Sequence, residues 1–177
     1  PLIDQFQFPL IGGDTTKGPL TIGLQVHGFI PKGQALTRSG AQEGDVIAVT
    51  GTLGDAGAAL ELLDLVDSEK LSSCELYLLD RYYAPTPRVS QGIELRAIAS
   101  ACIDVSDGLE QDLSHILRAS NVGAIIDTNK LPLGDSVNHY VKDTNDWSMP
   151  LCGGDDYELC FTAGKSKRDK ISALARI

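Results

Sequence analysis

The sequence predicts a mixed fold of the α/β or α+β layered class, in which helices alternate with short strands. Two observations lead to this prediction. Short apolar runs that end at glycine or acidic turns indicate strands, and longer segments with apolar residues every three or four positions indicate helices. The composition agrees, because 42% of the 177 residues are apolar and 22% are charged, which excludes an intrinsically disordered chain.

The N-terminal segment contains two predicted strands. Leu10 and Ile11 begin one, and residues 20–30 alternate apolar and polar side chains in the manner of a half-buried strand. Proline and glycine at residues 31–33 break the alternation. We therefore place a domain boundary there, with residues 1–30 ending one domain and residues 31–177 forming a second, truncated one.

The second domain carries further alternating elements. We predict strands at residues 46–50, 124–127 and 159–162, and a further strand in the apolar run 97–103. We predict helices at residues 56–66, 75–83, 91–100, 109–120, 135–141 and 166–177. The helix that begins at Leu109 has the clearest apolar face, with Ser106 as its predicted N-cap and Asn121-Val122-Gly123 as its stop.

Asp104 and Asp107 flank Ser106 where an apolar run gives way to this helix. Acidic residues often do no more than stabilise a helix N-terminus. Asp104, however, precedes the cap at the end of the apolar run, where a carboxylate needs a cation or a metal. No Lys or Arg lies nearby in sequence, so metal binding is a hypothesis alongside simple capping.

Glycine and acidic residues recur together at three predicted strand ends, which hold Asp14, Asp104 with Asp107, and Asp155 with Asp156. Oxygen ligands of this kind suit Mg²⁺, and glycine turns expose backbone donors to phosphate. Arg38, in a polar loop, could bind a phosphate, although an isolated loop arginine is more often solvated. The pattern favours Mg²⁺-nucleotide chemistry without a side-chain nucleophile, against the alternative of solvated surface turns.

Composition argues against other classes. The net charge of −9 disfavours nucleic-acid binding, and no apolar run approaches the roughly 20 residues of a membrane span. The four cysteines form no CxxC pair and the three histidines are scattered, so zinc is disfavoured and we expect buried free thiols in a reducing cytoplasm.

Four motifs in order along the chain resemble those of the bacterial thiamine-monophosphate kinase family. They are Leu10-Ile-Gly-Gly-Asp-Thr-Thr-Lys-Gly-Pro19, Ala35-Leu-Thr-Arg-Ser-Gly40, Ile103-Asp-Val-Ser-Asp-Gly-Leu109 and Gly153-Gly-Asp-Asp-Tyr-Glu-Leu159. This family belongs to the aminoimidazole ribonucleotide synthetase-like superfamily. The resemblance covers nearly the whole chain.

The resemblance implies Mg²⁺-assisted, in-line phosphorylation of thiamine monophosphate by ATP, giving thiamine diphosphate in a cytoplasmic homodimer. It assigns ATP contacts to Gly13, Asp14, Arg38 and Ser106, and Mg²⁺ to Asp14, Asp104 and Asp107. It assigns the substrate to Asp155, where the family more often has Glu, so a shorter side chain could instead recruit Asp156.

The chain begins at Pro1 rather than Met and ends inside a helix-like pattern, which predicts a fragment. Residues 1–30 would be the end of the family's N-terminal ATP-binding domain, and the fragment alone is expected to be inactive. Two alternatives stay open, another ATP-dependent synthetase of the superfamily and a noncatalytic nucleotide-binding or assembly module.

Overall fold

The computed structural model describes residues 2–65 and 70–174, which divide into two units, Pro1–Ala35 and Leu36–Ile177. The strands are β1 (Val46–Val49), β2 (Ala101–Val105) and β3 (Glu158–Ala163). The helices are α1 (Leu2–Phe6), α2 (Asp55–Leu60), α3 (Ser73–Tyr83), α4 (Val89–Leu95), α5 (Leu109–Ser120), α6 (Asp135–Thr144), α7 (Ser148–Cys152) and α8 (Arg168–Leu174). Short 3₁₀ turns lie at Leu63–Leu65, Thr128–Lys130 and Lys165–Lys167.

The first unit contains α1 and then irregular chain, so the strands predicted at residues 10–11 and 20–30 are wrong. The apolar side chains that suggested a buried face are exposed, with Leu20 at 94% and Leu24 at 90%. An alternating pattern becomes a strand only when a neighbouring strand satisfies its backbone groups. Within the described residues of this unit no such neighbour exists.

A three-stranded antiparallel sheet of order β1-β3-β2 organises the second unit. Strand β3 pairs on both sides, with Val46 opposite Ala163 and Ala101 opposite Thr162. The mixed fold class is confirmed, and the antiparallel pairing places it on the α+β side of the prediction. The predicted strands at residues 46–50 and 159–162 correspond to β1 and β3.

Apolar side chains pack on both faces of this sheet. Because successive strand residues point to opposite sides, the apolar residues of each strand divide between two clusters. On one face Ile103 and Cys160 pack in a cluster with Leu113 and Ile116 of α5. On the other face the cluster includes Phe161. The remaining buried members of that second cluster are Leu95, Cys102, Ala163, Ile171 and Leu174.

Helix α5 follows the sequence prediction over most of its length, and Asn121 ends it in the left-handed conformation at φ 54°. Its predicted N-cap is wrong, because Gly108 occupies that position and no side chain caps the helix. The buried Asp112 carboxylate accepts hydrogen bonds from the backbone N–H groups of Ser106 and Asp107, both at 2.9 Å. A side chain inside the helix therefore satisfies the preceding turn.

Several other boundaries differ from expectation. The strand predicted at residues 124–127 is absent: Ile125 is 96% exposed and residues 122–127 form no ladder with the sheet. The helix predicted at 56–66 ends as α2 at Leu60, and its last residue lies outside the described residues. The helix predicted at 91–100 becomes α4, Val89–Leu95, and α7 is a helix that was not predicted. The helix predicted at 166–177 is α8 as far as it is described.

The cysteines are free, but only two are buried as expected. Burial raises the pKa of Cys102 to about 11 and that of Cys160 to about 12, so both remain neutral thiols of the core. Cys74 and Cys152 are exposed, which corrects the prediction for those two. Among the described residues, no helix combines the length and apolar character needed to cross a membrane.

Candidate functional site

Two of the four motifs lie side by side at one end of the sheet. Beyond β2 and β3 the pairing continues through the backbone N–H of Tyr157, which donates to Val105 O, and that of Asp155, which donates to Ser106 O, both at 2.9 Å. A Cβ on Gly154 would lie 2.4 Å from Ser106 O, so only glycine fits between the two segments. We call residues 153–157 the acidic turn.

The facing segment presents two exposed carboxylates. Asp107 accepts hydrogen bonds from Gln111 Nε2 at 2.8 Å and from Ser106 Oγ at 3.3 Å. Asp104 is exposed on β2, and its carboxylate accepts no hydrogen bond within the described residues. Asp155 raises the pKa of Tyr157 most, through a hydrogen bond, and the negative charges of Asp104 and Asp107 raise it further. These three carboxylates therefore lie at the same end of the sheet, to which they give negative charge.

This arrangement fits Mg²⁺ bound together with a phosphate ligand rather than a metal held by protein alone. Within residues 2–65 and 70–174, no group of three or more His, Cys, Asp or Glu side chains is arranged to hold a metal ion. Mg²⁺ commonly keeps several waters and takes one or two protein carboxylates plus substrate phosphates. The exposed Asp104 and Asp107 supply such a pair of oxygen ligands.

The structure separates the two adjacent acids of the acidic turn. Asp155 is half-buried, with its carboxylate Oδ1 accepting the Tyr157 hydroxyl at 2.9 Å. Asp156 is 1% exposed and accepts the N–H groups of Gly54 at 2.7 Å and Ala56 at 3.2 Å, at the start of α2. Burial raises the pKa of Asp156 to about 6, although these two N–H bonds act to lower it.

A buried cluster of ion pairs holds the acidic turn on the side that faces the protein interior. Glu158 is fully buried and accepts hydrogen bonds from Arg81 Nη2 at 2.8 Å, Arg88 Nε at 2.6 Å and Thr50 Oγ1 at 2.6 Å. Arg88 Nη2 makes a further ion pair with the same carboxylate, and Glu158 raises the pKa of Arg88. Arg81 also donates to Asp156 O at 3.3 Å and lies 3.6 Å from Asp55 Oδ2.

The remaining predicted site residues lie in loops. Arg38 is exposed, and its backbone carbonyl accepts a hydrogen bond from Ser120 Oγ at 3.3 Å, which ties this loop to the end of α5. Ser106 is half-buried beside Asp107. Gly13 and Asp14 lie in the first unit, where Asp14 Oδ1 accepts the N–H of Thr15 at 2.8 Å.

A family comparison agrees with this architecture. The model of the family described as AIR synthase related protein, C-terminal domain, matches residues 42–176. The chain belongs to this family. The match covers most of the second unit, so the sheet and the acidic turn are parts of an AIR synthase related C-terminal domain.

Comparison with individual relatives narrows the similarity to one kind of protein within this family. The chain is 49% identical over 172 residues to the thiamine-monophosphate kinase of Salmonella typhimurium, covering 96% of this chain and 52% of that protein. The crystal structure of thiamine-monophosphate kinase from Stenotrophomonas maltophilia K279a is 44% identical, with a TM-score of 0.76 over 83% of this chain and 48% of the other. AaThiL complexed with AMPPCP and TMP is 38% identical, with a TM-score of 0.67 over 75% and 43%. The predicted resemblance is confirmed, and the chain spans about half the length of the curated relatives it matches.

Sequence reasoning missed the supporting residues of this AIR synthase related domain. Arg81 and Arg88 lie 77 and 70 residues from Glu158 in sequence, so no local spacing connects them. Asp112 lies within the predicted helix and was assigned no role from the sequence, whereas its carboxylate holds the Ser106 turn. The one available signal was Glu158 itself, a charged residue next to a predicted strand, which burial would force into an ion pair.

Gly108 gives a prediction about this domain's stability. Its φ is +107°, and a Cβ there would lie 2.8 Å from the backbone carbonyl of Cys152. Gly108→Ala is therefore expected to destabilise the domain by about 2 kcal/mol or more, since the backbone itself must shift. Urea unfolding followed by Trp147 fluorescence, the single tryptophan of the chain, measures this.

Gly123→Ala is the matched control, because a Cβ there meets nothing within 4 Å and its φ needs no glycine. Its unfolding midpoint should stay close to that of the unchanged chain. Equal midpoints for both variants would show that the close approach of Gly108 to Cys152 does not constrain the site.

Proposed function

We propose that this chain is the C-terminal part of a thiamine-monophosphate kinase, which transfers the γ-phosphoryl group of ATP to thiamine monophosphate. The observation that carries the proposal is the convergence of Asp104, Asp107 and Asp155 at one end of the sheet. The names of the relatives and the complex of AaThiL with AMPPCP and TMP support the assignment of the two substrates.

The three carboxylates would bind different ligands according to their positions. Asp104 and Asp107 are exposed and would hold Mg²⁺, which neutralises phosphate charge during the transfer. Asp155 would contact the thiamine monophosphate. We assign this contact to Asp155 rather than Asp156, because the Asp156 carboxylate is buried and already accepts two backbone N–H groups.

The remaining assignments rest on the resemblance. Arg38 and Ser106 would bind ATP from two loops of the C-terminal domain, and Gly13 and Asp14 would bind ATP, with Asp14 also holding Mg²⁺. The same resemblance underlies our proposal that the whole protein is a cytoplasmic homodimer and that residues 1–30 end its N-terminal ATP-binding domain.

The proposed reaction needs no nucleophilic side chain. An oxygen of the thiamine monophosphate phosphate attacks the γ-phosphorus in line, and the bond from that phosphorus to the bridging oxygen of ATP breaks, releasing ADP. The protein contributes positioning and charge. Asp112 supports this because its carboxylate accepts the backbone N–H groups of Ser106 and Asp107. The side chains of these two residues therefore extend from a fixed backbone.

A chimera provides the test. This chain replaces the matched residues of the Salmonella typhimurium relative, and thiamine diphosphate formation from ATP and thiamine monophosphate is measured by chromatography. The chimera should turn over with Mg²⁺, whereas the 177-residue chain alone should give no product.

The alternatives predict different results. A noncatalytic nucleotide-binding module would bind ATP in the chimera yet form no thiamine diphosphate. Another synthetase of the superfamily would hydrolyse ATP only with a different acceptor. Product formation by the isolated chain would contradict the expectation that it is insufficient alone.

A further inference from the structure

The acidic turn directs its side chains in two opposite ways. Asp156 and Glu158 point into the protein and are almost completely buried. Asp155 is half-buried and Tyr157 is 45% exposed, so these two alternate residues face outward at the end that carries Asp104 and Asp107. The turn therefore has an anchoring side and a free side.

The anchoring side is held by charge and backbone together. Asp156 accepts two N–H groups at the start of α2, and Glu158 is bound by Arg81 and Arg88 from α3 and the start of α4. Three elements thus fix the position of the turn. A buried network with several charged hydrogen bonds resists displacement of any one member.

The free side is held in an unusual backbone conformation. Asp155 has φ 64° and Tyr157 has φ 50°, both in the left-handed region that L-residues seldom adopt. Such conformations persist when the surrounding structure enforces them, and they cluster at functional sites. Here they bring the Tyr157 hydroxyl to 2.9 Å from Asp155 Oδ1.

This hydrogen bond determines which oxygen of Asp155 stays available. Oδ1 accepts the Tyr157 hydroxyl, whereas Oδ2 accepts no hydrogen bond within the described residues. A carboxylate with one fixed oxygen presents the other in a defined direction. In so negative a surrounding, that oxygen suits an N–H donor or a cationic group of a ligand and not its phosphate.

We propose that Tyr157 is a positioning residue for the phosphoryl acceptor, because its hydroxyl holds the Asp155 carboxylate towards the amino or cationic part of thiamine monophosphate. The inference rests on the proposed function and adds to it a residue that sets acceptor affinity. Tyr157 acts through Asp155 and takes no part in the transfer itself.

Tyr157→Phe in the chimera tests this, since it removes only the hydroxyl. The KM for thiamine monophosphate should rise about three- to tenfold, the range for losing a hydrogen bond to a partly exposed carboxylate. The KM for ATP and kcat should change less than about twofold. Tyr140→Phe is the matched control, because Tyr140 donates to Asp146 Oδ2 at 3.0 Å on another part of the domain, and its KM values should be unchanged.

A double-mutant cycle distinguishes positioning from a merely structural role. Asp155→Ala should itself raise the acceptor KM, and adding Tyr157→Phe to it should then have no further effect. Equal effects of Tyr157→Phe in both backgrounds, or an unchanged acceptor KM in the single variant, would overturn the proposal. An unaltered acceptor KM in Asp155→Ala would overturn it as well.

Binding separates this inference from the kinase proposal. The affinity for thiamine monophosphate in the presence of AMPPCP is measured by calorimetry, which needs no turnover. If the unchanged chimera binds both ligands but forms no thiamine diphosphate when ATP replaces AMPPCP, the kinase proposal fails, and the ratio of affinities between Tyr157→Phe and its parent still decides the role of Tyr157.

Discussion

Asp104→Asn in the chimera is expected to reduce kcat by about 100- to 1,000-fold, corresponding to about 3–4 kcal/mol of transition-state stabilisation. The physical reason is that an amide carries no charge and binds Mg²⁺ weakly, so the phosphate charge of the transition state is left less neutralised. The same change at Asp107 should have a similar effect. Steady-state kinetics over a range of Mg²⁺ concentrations measures it, and the variants should need more Mg²⁺ for half-maximal rate.

Asp143→Asn controls for the loss of one negative charge. Asp143 lies on the exposed surface of α6 beside His139, and its side chain is 64% exposed. Its kcat and Mg²⁺ dependence should match those of the parent. Because the Asp104 carboxylate is exposed and accepts no hydrogen bond within the described residues, Asp104→Asn should also unfold at the parent's temperature. A kcat close to that of the parent in both Asp104→Asn and Asp107→Asn would refute the metal assignment.

Glu158→Gln is expected to lower the free energy of unfolding by about 3–5 kcal/mol. The substitution preserves side-chain shape but removes the charge that the buried guanidinium of Arg81 and the half-buried guanidinium of Arg88 share. The side chain of Arg81 is 9% exposed and that of Arg88 is 17% exposed, so water can compensate neither fully. Urea unfolding monitored by Trp147 fluorescence gives the change, with the m-value checked for two-state behaviour.

Glu94→Gln is the matched control on the exposed surface of α4, where neutralising a carboxylate should change stability by less than about 0.5 kcal/mol. If Glu158→Gln unfolds at the same urea concentration as Glu94→Gln, the cluster does not stabilise the fold. A second readout follows from the proposed function. Glu158→Gln should also weaken thiamine monophosphate binding in the chimera, because the acidic turn loses its anchor.

Local patterns predicted the parts of the fold that depend on local periodicity. The apolar face of α5 and its end at Asn121 follow from a helical repeat and a residue that tolerates positive φ. The same kind of reasoning failed for residues 20–30 and 124–127. Alternating apolar and polar residues indicate which face of a strand could be buried. A strand also needs a hydrogen-bonded neighbouring strand, and the spacing of residues in the sequence does not show whether one is present.

The candidate site shows the same division. Asp104, Asp107 and Asp155 could be nominated from glycine-acid turns and from family motifs, because such turns occur where backbone must approach a ligand. The separate environments of Asp155 and Asp156 could not be predicted, since the two are adjacent acids in sequence. Only the packing of α2 against the turn decides that Asp156 is buried and Asp155 is not.

The sequence by itself therefore determined the mixed fold class, the strongest helix and strands, and the family, through residue types and short spacings. The tertiary structure alone decided which carboxylates lie at the same end of the sheet and which one accepts hydrogen bonds from the backbone. It also decided that Arg81 and Arg88 neutralise Glu158. The physical reason is that these decisions depend on contacts between residues some 50 to 100 positions apart, whose energies arise from burial and charge pairing and leave no periodic trace in the chain.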